Sequence, residues 1–219
     1  MPTLTVRSDI SGAEAPDVTR ALLPSIEALA KKLPLGYGID VGGAYESSAK
    51  AQTSIVAVMP ATIIAVLLLL MIQLQDIKKM VLVLLTAPLG LIGVSAILAA
   101  FRIPFGFVAT LGVIALAGMI IRNSVILVVQ IDHDLAAGAP LWTAIVESAV
   151  RRLRPIVLTA LAAILAMVPL TRSVFWGPMA WAIMGGLAVA TLLTLVFLPA
   201  LYATAYGAKR PLPLDAPAA

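Results

Sequence analysis

From residue 55 onward the chain is a series of apolar runs separated by short charged breaks, and that pattern excludes most of what 219 residues could otherwise fold into. Ile55–Ile72 is eighteen uncharged, mainly apolar residues, enough at about 1.5 Å each to nearly cross a hydrocarbon core of about 30 Å. Met80–Phe101 supplies twenty-two more, with Pro88, Gly90 and Gly93 inside it, residues that membrane helices tolerate. A third run extends from about Phe105 to Ile131, with Arg122 as its only charge. Pro155 to Leu170 and Pro178 to Tyr206 are the fourth and fifth. One such run is compatible with a buried core helix; five with charged breaks predict membrane spans at about 54–73, 80–101, 105–131, 153–171 and 178–206.

Composition agrees. The chain is 61% hydrophobic and 12% charged, against about 45–50% and 25% in ordinary soluble domains. Its mean hydropathy is +1.05. A soluble enzyme, a nucleic-acid binder and a disordered segment are excluded as classes, despite the net charge of +4; the expected partner is the lipid bilayer. There is no cysteine and one histidine, His133, so neither a disulfide scaffold nor a thiolate metal site is expected. No glycine-rich phosphate loop occurs. No catalytic residue, metal or cofactor is expected.

Residues 1–50 read differently. Leu4-Thr5-Val6, with Arg7, Asp9 and Ile10, suggests a short strand; Pro16 to Lys32 places Val18, Leu22, Ile26 and Leu29 on one helical face. Tyr37 to Val41, between the Pro34–Gly36 turn and Gly42-Gly43, suggests a second strand. The expected fold is therefore an all-α polytopic membrane bundle of five transmembrane helices with a small N-terminal β-α-β fragment of an α+β domain. Fifty residues without disulfides rarely fold alone, so this piece is expected to belong to a larger domain.

Five spans put the two ends on opposite sides. Lys78, Lys79, Arg151, Arg152, Arg154, Lys209 and Arg210 follow spans one, three and five, against only Arg102 and Arg172 in the alternate connections. By the positive-inside rule the seven are cytoplasmic and the N-terminal piece lies outside. MPTLTVRSDI has no apolar signal segment, so preceding spans are expected to carry residues 1–50 across. In the connection after span three, residues 140–151 place Trp142, Ile145, Val146, Ala149 and Val150 along a broad face. An interfacial helix and an ordinary loop helix packed under the bundle both fit that pattern.

Arg122 needs an explanation. Apolar sequence continues on both sides, and a guanidinium at that depth costs at least about 2.5 kcal/mol. Snorkelling or a packing ion pair is one reading, and a buried charge in an ion or proton pathway is the other. No Asp or Glu occurs within the five runs, so its counter-ion is expected from protein outside this chain. Asn123 is the polar neighbour of Arg122. Span four is short, which draws Arg152 and Arg154 to the membrane boundary; Arg152 and Thr159 lie two turns apart on one face. Arg122, Arg152 and Thr159 together suggest a polar track, with Arg154 facing lipid phosphate. Asp132-His133-Asp134 reads as a solvated helix end. Gly90, Gly93, Gly185 and Gly186 read as close helix contacts.

GMIIRNSVILVVQID (118–132), RRLRPIVLTALAAILAMVPL (151–170), GPMAWAIMGGLAVATLLTLVFLPALY (177–202) and APLGLIGV (87–94) resemble the C-terminal transmembrane half of resistance-nodulation-division efflux permeases of the multidrug (hydrophobe/amphiphile) type. The resemblance implies spans eight to twelve of twelve, with residues 1–50 closing a periplasmic porter domain, 51–207 forming the membrane domain and 208–219 a cytoplasmic tail. It implies a bacterial inner-membrane protein that exports amphiphilic compounds against inward proton flow. The implied partners are the missing N-terminal half, two further copies in a homotrimer, a periplasmic adaptor and an outer-membrane channel.

Carried onto this sequence, Arg122 stands where the drug-exporting branch usually has lysine, beside Asn123. Arg152 opens the R-L-R-P motif and Thr159 matches a relay threonine. These four form the implied proton relay. The alternatives are a transport-inactive truncated permease, or half of a heavy-metal or lipid exporter of the same superfamily.

Overall fold

The computed structural model describes residues 3–8, 10, 15–34 and 36–208. It contains seven α-helices among those residues: α1 (Ala15–Ala30), α2 (Ala44–Leu74), α3 (Ile77–Leu84), α4 (Leu89–Ala100), α5 (Phe107–Ala136), α6 (Leu141–Met167) and α7 (Gly177–Ala205), with a 3-10 turn at Val168–Arg172. Five stretches are long and apolar enough to cross a membrane: α2, α3 with α4, α5, α6 with its 3-10 turn, and α7. Among the described residues the regular structure is all helical.

The expected β-α-β fragment is overturned. The helix is present as α1, but no β-strand occurs among the described residues. Leu4 and Val6 are 94% and 87% exposed without regular structure, and Tyr37 is 74% exposed. The reason is physical: a strand's backbone groups need a neighbouring strand, and two short segments around one helix form no sheet with a covered apolar face. Asp9 of the first expected strand lies outside the described residues. So do Lys209 and Arg210 of the tail.

Two compact units divide within α2, between Thr62 and Ile63. In the first, α1 buries none of its side chains. The start of α2 carries an i,i+4 pair in which Lys50 Nζ lies 2.6 Å from Glu46 Oε1, an arrangement that supports a helix modestly.

In the second unit α7 is the central helix, packed against α4, α5 and α6. It can sit there because glycines let the backbones approach. A Cβ on Gly93 of α4 would lie 2.3 Å from the Gly185 carbonyl oxygen, and one on Gly186 would lie 2.1 Å from a Leu116 methyl. The glycines expected to make close helix contacts do so. Pro88 separates α3 from α4. Residues 140–151 and the fourth apolar run form one uninterrupted helix, α6, which passes through Pro155. Proline is tolerated there because only one backbone hydrogen bond is lost.

Chain connectivity puts the C-terminal ends of α2, α5 and α7 and the starts of α3 and α6 at one end of the bundle. The polar contacts between those helices gather there. The opposite end is aromatic, with Phe101 and Trp181 stacked at 4.3 Å and Phe175 edge-on to Trp176 at 4.9 Å.

Candidate functional site

The four candidate residues lie on α5 and α6. Arg122 is exposed, on the same α5 face as Ala115, Gly118, Ile126 and Val129. None of the ion pairs among the described residues includes it. Gly118, one turn earlier, faces open space: a Cβ there would meet nothing within 4 Å. The next residues turn inward. Asn123 lines a small cavity between α5, α6 and α7. Ser124 is fully buried, with its Oγ 2.7 Å from Thr86 Oγ1. Thr86 spends its own proton on the Val83 carbonyl at 2.6 Å, so Ser124 is the donor to Thr86.

Arg152 is half-buried and Arg154 exposed. The Arg152 guanidinium donates to Gln130 Oε1 at 2.7 Å, and Gln130 Nε2 donates to Asp134 Oδ1 at 3.1 Å. The other Asp134 oxygen accepts from the Ser148 hydroxyl and, at 2.6 Å, from Arg151 Nη2. Asp134 is only 7% exposed. The Thr159 hydroxyl donates to the Ile156 carbonyl of its own helix at 2.9 Å. No hydrogen bond joins any two of Arg122, Asn123, Arg152 and Thr159. Arg152 is tied into a network, whereas Arg122 stands apart on an uncovered face.

That network is what the sequence reading missed. Asp132-His133-Asp134 is not simply a solvated helix end. Asp134 is buried, and Asp132 accepts from Lys79 Nζ at 2.7 Å and from the Tyr202 hydroxyl at 3.2 Å. The available signal was the spacing Gln130–Asp134 on one helix opposite Ser148, Arg151 and Arg152 on the next. A carboxylate receiving this many donors is fixed in place. It locks α5 to α6 and extends the Arg152 charge through Gln130 to an acid.

Beside it, the Tyr206 hydroxyl donates to Asp76 Oδ2 at 2.7 Å, and the Lys78 backbone N–H donates to Asp76 Oδ1 at 2.7 Å as a helix cap. The Tyr206 hydrogen bond holds the Asp76 carboxyl below its ordinary range, with the Lys78 N–H helping. Burial, then the hydrogen bond to Asp76, pushes the Tyr206 phenol up. A lowered carboxyl pKa means stability that is present above the unfolded value of 3.8 and lost as pH falls through the folded value. Tyr206→Phe should therefore remove part of the acid sensitivity. Between about pH 5 and 3, around the reference carboxyl pKa, the parent chain should lose more thermal stability than the variant. Equal losses would show that the Tyr206–Asp76 bond contributes nothing.

The model of the AcrB/AcrD/AcrF family (ACR_tran) matches residues 3–206. The cobalt-zinc-cadmium resistance protein CzcA of Cupriavidus metallidurans is 32% identical over 206 residues, covering 92% of this chain and 19% of that protein. The nickel-cobalt-cadmium resistance protein NccA of Alcaligenes xylosoxydans xylosoxydans is 34% identical over 174 residues, 77% of this chain and 16% of that one. A crystal structure of a heavy metal efflux pump superposes with a TM-score of 0.68 at 25% identity, over 91% of this chain and 20% of the pump. This chain thus spans about a fifth of the length of such relatives.

Proposed function

We propose, for a chain that belongs to the AcrB/AcrD/AcrF family of efflux permeases, that it is the C-terminal membrane portion of a proton-driven exporter of divalent metal cations. The family consists of transporters rather than enzymes. The observation that carries the metal reading is the likeness along nine-tenths of the chain to a heavy metal efflux pump and to cobalt-zinc-cadmium resistance protein CzcA. In this reading the polar end of the bundle, with Lys79, Arg151 and Arg152, faces the cytoplasm of a bacterial inner membrane, and residues 1–50 lie on the periplasmic side. The exposed Arg122 face of α5 meets the other half of the permease. The complete pump is a homotrimer working with a periplasmic adaptor and an outer-membrane channel.

Within the relay, Arg122 holds a carboxylate of the other half, and Asn123 is the polar residue beside it on the inward side of α5. Arg152 and Thr159 mark the path along α6. Export of amphiphilic compounds is the second reading, favoured by the R-L-R-P motif that Arg152 opens and by Thr159.

The complete permease containing this segment should be expressed with its adaptor and channel in a pump-deficient bacterium. Tolerance to zinc, cobalt and cadmium should rise, with retention of a hydrophobic dye unchanged. Dye extrusion without metal tolerance would overturn the metal reading in favour of the second. Export of neither would overturn both transport readings.

A further inference from the structure

Threonines inside helices commonly return their hydroxyl to a carbonyl of the preceding turn. Thr53, Thr62, Thr110 and Thr204 do so here, at 3.0, 3.1, 3.1 and 3.1 Å. Thr191 and Thr194 do not. Both are 7% exposed, both are on α7, and the Oγ1 atom of each is buried without a hydrogen-bond partner. Three residues apart, they share a face of α7. That face lines the same small cavity as Asn123, walled otherwise by apolar side chains such as Ile120, Ile156 and Leu187. All three polar residues lie near the middle of their helices, and therefore at the depth where water is scarcest.

Two buried hydroxyls left without partners would each carry the full penalty of their lost hydration. A bound water removes that penalty, and the site meets both requirements for one. The cavity has about 10 Å³, the least that one water molecule needs, and it offers three polar side chains where an internal water typically makes about three hydrogen bonds. No acidic side chain lines it, so a neutral ligand fits better than a cation. We infer that Thr191, Thr194 and Asn123 bind a single internal water, which links α7 to α5 beside Arg122. The site is a property of this bundle and does not depend on which substrate the permease exports.

The test uses the whole chain in lipid bilayers, with water as the probe. In solid-state NMR, magnetisation transferred from water should reach the Thr191 and Thr194 side chains and the Asn123 side-chain amide, at levels far above those of the surrounding leucines. The double variant Thr191→Val/Thr194→Val keeps side-chain volume but removes both hydroxyls. It should reduce transfer to the Asn123 amide several-fold and lower the thermal unfolding midpoint. Thr191→Ser and Thr194→Ser, which keep a hydroxyl, should retain the transfer. Absence of transfer to the two threonines in the unsubstituted chain would overturn the inference, whatever the variants do. So would a double variant of raised stability with an unchanged Asn123 signal, the result for two hydroxyls in a dry cavity.

Discussion

Replacing Gly93 by alanine should force α4 and α7 apart and strongly destabilise the bundle. The added Cβ would lie 2.3 Å from the Gly185 carbonyl oxygen, 2.9 Å from Gly186 Cα and 2.8 Å from Val189 Cβ. Two of those three are backbone atoms, so no side-chain rotation relieves the clash. Overpacking of this kind costs about 1–3 kcal/mol and more when the backbone must move, and here it strikes the helix against which α4, α5 and α6 all pack. Gly118→Ala is the matched control. Its Cβ meets nothing within 4 Å, and alanine improves helix propensity by about 1 kcal/mol. In the isolated chain, thermal unfolding should fall sharply for the first variant and stay level or rise for the second. A Gly93→Ala chain as stable as its parent would mean that the α4–α7 crossing is looser than the structure describes. In the complete permease Gly118→Leu should become damaging if that face meets the other half, as proposed above.

The difference between these two glycines also shows what a sequence reveals and what it withholds. Length and hydropathy sufficed for five helices long and apolar enough to span a membrane, since a backbone in hydrocarbon must satisfy its own hydrogen bonds and a helix does so within one segment. Small residues such as Gly93 and Gly185 marked close contacts, but nothing in the sequence distinguished them from Gly118, because the difference lies in which helix stands opposite. The strands failed for the converse reason. Alternation around Leu4–Val6 and Tyr37–Val41 describes a preference that is realised only when another strand pairs with it. Asp134 was misjudged likewise: position at a helix end implies solvent, yet Ser148, Arg151 and Gln130 surround its carboxylate. The orphaned hydroxyls of Thr191 and Thr194 have no sequence signal, as helix-internal threonines ordinarily bond to their own backbone. Arg122 was visible because its charge is anomalous in apolar sequence whatever its neighbours.

On the proton-coupled reading, Arg122→Ala in the complete permease should abolish export while leaving expression and assembly largely intact. The guanidinium is exposed on α5 and joins no ion pair among the described residues, so removing it breaks no contact within this bundle. Its effect must come from what meets that face. An arginine stays charged at any physiological pH, so it does not itself carry the proton. It favours the ionised form of a carboxylate within a few ångströms, and protonation of that carboxylate releases it. The released side chain then turns to water or to polar groups of the other half. Two alternative pairings make a bistable element, which helix movement can transmit to the rest of the pump. Arg122→Lys should keep part of the transport, because it preserves the charge and loses only the planar fork. The decisive measurement is substrate export by reconstituted permease under an imposed proton gradient, with assembly checked in parallel. Gradient-driven export by the alanine variant at the parental rate would remove Arg122 from the relay and leave it a surface charge. In the isolated 219-residue chain neither substitution should alter transport, because the carboxylate that Arg122 is proposed to hold belongs to the other half.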